Sequence, residues 1–121
     1  MTKRDIQSRE DLEIFLRGFY EEAMKDDLLS EKFAGMDLES HMPTIIDFWQ
    51  MLTIGGATYK GRPFDVHMGR QLRKEHFERW LTLFQQQLLL RNDGSVSRQV
   101  LQQARQIAAV FQHKLHTLES S

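Results

Sequence analysis

An all-α fold follows from three features of this sequence. Apolar residues recur at spacings of three and four, β-branched alternation never persists, and long stretches lack turn signals. Only two prolines occur, and glycines cluster at 55, 56 and 61. At 121 residues, a single domain over 1–121 is expected. A chain of that size buries roughly 65% of its unfolded surface, enough for a core without staples.

The first helix is predicted to start at Ser8, where Ser8 and Asp11 resemble a capping box. Leu12, Phe15, Leu16, Phe19 and Met24 trace its core stripe, with Tyr20 at the edge and an end near Asp26-Asp27. A short segment with Leu28, Leu29 and Phe33 follows, and Gly35 suits a left-handed helix end. Asp37 caps the second main helix, whose stripe reads Leu38, His41, Ile45, Phe48, Trp49 and Leu52. Pro43 either kinks its first turns or delays regular helix.

Residues 54–62 read as a loop. Pro63 can open a short helix carrying Phe64 and His67, ended by Gly69. From about Arg73, Phe77, Trp80, Leu81, Phe84 and Leu88 mark a strong amphipathic helix, with His76 a surface residue at its start. After an RNDG turn, Ser95 or Ser97 caps the last helix. Val96, Val100, Ala104, Ile107, Phe111, Leu115 and Leu118 form its stripe.

Composition excludes several functions. Without cysteine there is no disulfide, thiolate metal site or cysteine nucleophile. The 16 basic and 17 acidic residues give a net charge of −1, without the basic surplus of a nucleic-acid binder. The charged start MTKRDIQSRED lacks the apolar core of a secretory signal. No apolar run approaches the ~18 residues of a membrane span. A cytoplasmic protein is expected. No G-x-S-x-G, P-loop, H-E-x-x-H or paired-carboxylate spacing is present.

The stretch from His41 to Trp80 holds most of the chemistry-bearing residues. A single Phe or Trp on a helical stripe is more often core than cofactor box. His67 stands apart, because it follows a Gly/Pro loop on a segment that a plain helical bundle does not need. Its imidazole can ligate iron while the other ring nitrogen is held by a backbone carbonyl. By spacing alone, such a histidine is a core or surface residue more often than a ligand. His113 and His116 have no third ligand in sequence and read as solvated.

Four motifs in order, FY at 19–20, HMPTIIDFW at 41–49, YKGRPFDVH at 59–67 and HFERWLTLF at 76–84, resemble the third group of truncated haemoglobins. The resemblance runs from about residue 10 to residue 115. It implies a globin-like, shortened two-over-two helical sandwich around haem b, binding dioxygen, nitric oxide or other diatomic ligands at the iron. His67 corresponds to the proximal iron ligand, and Tyr20, His41 and Trp80 to the residues around the bound ligand. Phe33 matches the phenylalanine packed against haem, and Met42, Ile45 and Phe48 join it in the implied cofactor contacts. Tyr59, Arg62, Phe64, Arg70 and Phe77 complete that set, with Lys60, Arg62, Arg70 and Arg73 as candidates for the propionates. The sequence departs from the family pattern at Gly69-Arg70-Gln71, where a more apolar stretch is common, which bears on packing at the haem edge.

Tight dioxygen binding is one implied function. Nitric oxide dioxygenase or peroxidase-like turnover is another and requires an external reductase. A haem-free helical interaction module is the alternative that periodicity alone leaves standing.

Overall fold

The computed structural model describes residues 3–33, 35, 37–56 and 73–120, with side chains through residue 113. Four α-helices run along them: α1 Arg9–Lys25, α2 Leu38–Leu52, α3 Lys74–Arg91 and α4 Ser95–Ser120. A 3-10 turn, Ser30–Phe33, lies between α1 and α2. The helices pack as two consecutive pairs, α1 on α2 and α3 on α4, joined by α1 against α3.

α1 begins as its sequence predicts. Ser8 Oγ accepts from the Asp11 N–H at 3.2 Å, satisfying one orphan donor of the first turn. The reciprocal bond is shifted by one residue, since Asp11 Oδ2 accepts from the Gln7 N–H at 2.8 Å rather than from Ser8. Leu12, Phe15, Leu16 and Phe19 are fully buried. The stripe continues through Ala23 instead of the predicted Met24, which is half-buried. Asp26 ends the helix, and its carboxylate accepts from the Leu28 and Leu29 N–H groups at 3.0 and 3.1 Å. Gly35 then takes the expected positive φ, +82°.

α2 corrects two expectations. Pro43 does not delay the helix, which starts at Leu38 under an Asp37 cap. The buried residues are Met42, Ile46 and Trp49, whereas Leu38, Ile45, Phe48 and Leu52 are half-buried and His41 is exposed. The core face is therefore rotated by one residue, about 100°, from the predicted stripe. Salt bridges on its flank, Arg9–Asp47 at 2.7 Å and Arg17–Glu39 at 2.6 Å, set α2 against α1.

α3 buries His76, Phe77, Phe84 and Leu88. α4 buries Val100, Ala104 and Phe111 of the predicted stripe together with Ala108, while Val96 and Ile107 are half-buried.

The cap of α4 is not local. The predicted Ser95 and Ser97 are replaced in that role by Asp5, from the segment before α1. Asp5 accepts from the Val96 N–H at 3.0 Å, the Ser97 N–H at 2.9 Å and Ser97 Oγ at 2.7 Å. Gly94 makes this approach feasible: its φ is +142°, and a Cβ there would lie 2.3 Å from Asp5 Cγ. Neighbouring bonds from Asn92 Nδ2 and the Asp93 N–H to the Arg4 carbonyl tie the same segment to the α3–α4 turn. Buried Ile6 seats it in the core.

Phe84 is the centre of that core. Fully buried, it meets Phe15 edge-on at 4.9 Å, Phe19 at 5.2 Å, Trp49 at 5.2 Å and Trp80 in a stack at 5.1 Å.

Phe84→Ala is expected to destabilise the fold by about 3–5 kcal/mol, read as a fall in the denaturation midpoint. Burial pushes the Asp5 carboxyl up, but the bonds from Ser97, Val96 and Ile6 more than offset this and hold it below its usual range. Its stabilisation is thus complete above the ordinary carboxylate pKa and is lost as pH falls through the lowered folded value. Asp5→Ala should cost about 1–2 kcal/mol near neutral pH and progressively less in acid, measured by denaturant unfolding across pH.

Candidate functional site

A continuous run of rings crosses the described structure. Phe33 meets Tyr20 edge-on at 5.9 Å, Tyr20 meets Phe19 at 4.9 Å, and Phe19 meets Trp80 at 5.7 Å. Beyond Trp80 come Phe84, Trp49 and Phe48, the last pair 5.4 Å apart. Tyr20 from α1 and Trp80 from α3 therefore flank one shared ring, that of Phe19. The structure brings together Tyr20, Trp80 and Phe33, three of the residues that the family resemblance singles out.

Their positions follow from ordinary helix geometry. Tyr20 succeeds the buried Phe19 by one residue and so stands about 100° around α1, at the border of the core. Trp80 lies one turn from Phe84 on the same face of α3. Both are half-buried. Burial pushes the Tyr20 hydroxyl up to about 12, so it stays protonated and able to donate.

Other predicted site residues fall differently. Met42 is a buried core residue, and Ile45 and Phe48 are half-buried against that core. Phe77 is buried with Ala108 and Phe111 between α3 and α4, its ring 6.5 Å from that of Phe111. His41 lies on the exposed side of α2, and Arg73 is exposed beside Glu75. Tyr59, Lys60, Arg62, Phe64, His67 and Arg70 lie outside the described residues.

His76 is the principal correction on α3. Expected at the surface, it is only 5% exposed, and its Nδ1 accepts from the Arg73 N–H at 2.9 Å. That bond fixes the neutral tautomer with the proton on Nε2. Burial, followed by the Lys32 ammonium, pushes the imidazole below its usual range, with Arg73 acting the same way and Glu75 and Glu31 opposing. Periodicity carried a hint: His76 is one turn before Trp80.

Two observations test whether a flat aromatic cofactor suits these residues. α2 and α3 each pack on α1 and α4 and meet where Trp49 reaches Phe84. Leu38, Ile45, Phe48, Trp80 and Leu81 nevertheless stay half-buried, so the described core leaves part of this apolar surface uncovered. The Tyr20 hydroxyl and the Trp80 indole N–H also have no hydrogen-bond partner among the described residues. Apolar walls with two available donors fit a porphyrin and a small polar ligand. No cluster of three His, Cys, Asp or Glu residues forms a separate metal site among the described residues. No described helix is long and apolar enough to cross a membrane.

The helix order, the pairing and this aromatic site define a protein of the globin class. The chain belongs to the bacterial-like globin family, whose model matches residues 5–116. It is 28% identical over 121 residues to the group 3 truncated hemoglobin ctb of Campylobacter jejuni subsp. jejuni serotype O:2, covering 94% of this chain and 95% of that protein. It also superimposes on a crystal structure of group III truncated hemoglobin from Campylobacter jejuni with a TM-score of 0.84 and 29% identity, over 94% of this chain and 95% of that one. Third-group truncated haemoglobins are thus what this globin resembles, in sequence and in fold.

Proposed function

We propose that this protein is a haem b globin that binds dioxygen and other diatomic ligands with high affinity. His67 is the proximal ligand in this reading, with Tyr20, Trp80 and His41 on the side where the diatomic binds. The carrying observation is the pair of available donors, Tyr20 O–H and Trp80 N–H, held on either side of Phe19. Membership of a globin family supports haem-based binding over a haem-free interaction module.

Haem supplies the ferrous iron at which a diatomic ligand binds. The chain supplies the surroundings. Tyr20 keeps its proton across the physiological range and donates it in a hydrogen bond to a partly negative outer atom. Trp80 has a donor and no acceptor, so it recognises that same polarity. Phe33, Ile45, Phe48 and Leu81 wall the region with apolar surface, which excludes water and strengthens each bond. A neutral hydrogen bond contributes about 1 kcal/mol net and more in a dry pocket. Two donors acting together slow ligand loss by a factor on the order of ten to a hundred. High affinity of that kind suits retention of the ligand better than its delivery.

Purified, haem-supplied protein should show a Soret band at roughly 400–430 nm, and His67→Gly should abolish or sharply alter it. A colourless wild-type sample would refute the haem reading. Tyr20→Phe and Trp80→Phe should each raise the dioxygen dissociation rate by about tenfold in stopped-flow displacement. Unchanged rates in both variants would remove these residues from the ligand site.

A further inference from the structure

We propose that His76 is an acid-sensitive clasp on the first turn of α3, closed while its imidazole is neutral and opened by protonation. The inference goes beyond ligand binding and holds with or without haem. It rests on the way this helix begins.

α3 starts at Lys74, and its cap, Arg73, has no side-chain acceptor to offer the first turn. His76 closes the turn from the other direction. Its Nδ1 accepts from the Arg73 N–H at 2.9 Å, while its own backbone N–H donates to the Arg73 carbonyl at 3.0 Å. In the usual reciprocal cap, that third position carries Glu or Gln, whose carbonyl or carboxylate oxygen accepts at neutral pH. Histidine accepts at Nδ1 only when neutral, because both ring nitrogens of the imidazolium are donors. The substitution makes the cap conditional.

Three influences act against the protonated form. The ring is buried, so charging it is costly. It lies in the first turn, at the positive end of the helix dipole. The 3-10 turn brings the Lys32 ammonium, itself mostly buried, into its field, and Arg73 adds a second positive charge. Glu31 from that turn and Glu75 from α3 oppose them. The clasp therefore holds at neutral pH and opens only below the ordinary imidazole range.

Opening has somewhere to go. The next turn of α3 is tied to the end of α1, just before the Ser30–Phe33 segment, by Arg79, whose guanidinium pairs with Asp26 at 2.7 Å. Phe33 in that segment touches Tyr20, and Trp80 is one turn along α3 from His76. Loosening the first turn thus reaches Trp80 along α3, and Tyr20 by way of the Arg79–Asp26 pair and the Ser30–Phe33 segment.

Hydrogen–deuterium exchange on the full, haem-supplied chain tests this, with rates corrected for the intrinsic effect of pH. The amides of Arg73, His76 and Phe77 are compared with those of Phe84 and Leu88 from about pH 7.5 to about pH 4.5, a range spanning imidazole titration. Wild type should lose about tenfold protection at the first turn in acid, beyond any change at Phe84 and Leu88. His76→Gln, which accepts through Oε1 without titrating, should hold first-turn protection within about twofold across that range. His76→Ala should be weakly protected at every pH. If His76→Ala does not fold, wild type against His76→Gln still decides. The same acid profile in both, or a flat wild-type profile, would overturn the clasp. Because the readout is exchange and not colour, loss of the haem reading would leave the result interpretable.

Discussion

Phe84 sets the constraint on which the rest of the structure depends. It is held by rings from three helices, Phe15 and Phe19 of α1, Trp49 of α2 and Trp80 of its own α3. Aromatic pairs prefer edge-to-face and offset geometries, each contributing about 0.5–1.5 kcal/mol beyond area burial. Once Phe84 and Phe19 are seated, Tyr20 and Trp80 have little freedom, since both touch Phe19. The site is an outgrowth of the core and shares its rigidity. A donor on an independent loop would have to be ordered at the moment of binding, whereas the two donors of the proposed ligand site are ordered by folding.

The polar groups solve a different problem, the starting of helices. α1 uses a local device, Ser8 with Asp11. α4 borrows Asp5 from beyond α1, and α3 uses a histidine folded back on its own cap residue. Asp26 serves two elements, holding Leu28 and Leu29 with one oxygen and Arg79 with the other. These contacts fasten the ends of the helices while the aromatic rings fix their middles.

This division explains what could be read from the sequence. The stripes of α1, α3 and α4 were legible because each has polar residues opposite its apolar ones, so the 3.6 period defines a phase. Ser8 and Gly35 were legible because their roles depend on adjacent residues alone. The cap of α4 was not, because Asp5 and Val96 are joined only by the fold. The setting of His76 was hidden for a similar reason, as Lys32 acts on it from a distant turn. In the site, Tyr20 and Trp80 emerged through the family resemblance. Periodicity could not separate them from Phe15 or Phe84, which are apolar core.

α2 joins the misread phase to the proposed function. Its run Ile45-Ile46-Asp47-Phe48-Trp49 is apolar on more than one side, so the sequence supports two stripes a residue apart. One of them, Met42, Ile46 and Trp49, is spent against α1 and Phe84. The other, Ile45 and Phe48, remains half-buried. A helix that needs to cover only one surface gains nothing from a second apolar stripe, which would raise the apolar area left in water. A helix lying between a core and a flat apolar cofactor needs both. The width of the apolar arc, which obscured the phase of α2, is thus what the proposed haem reading requires of this helix.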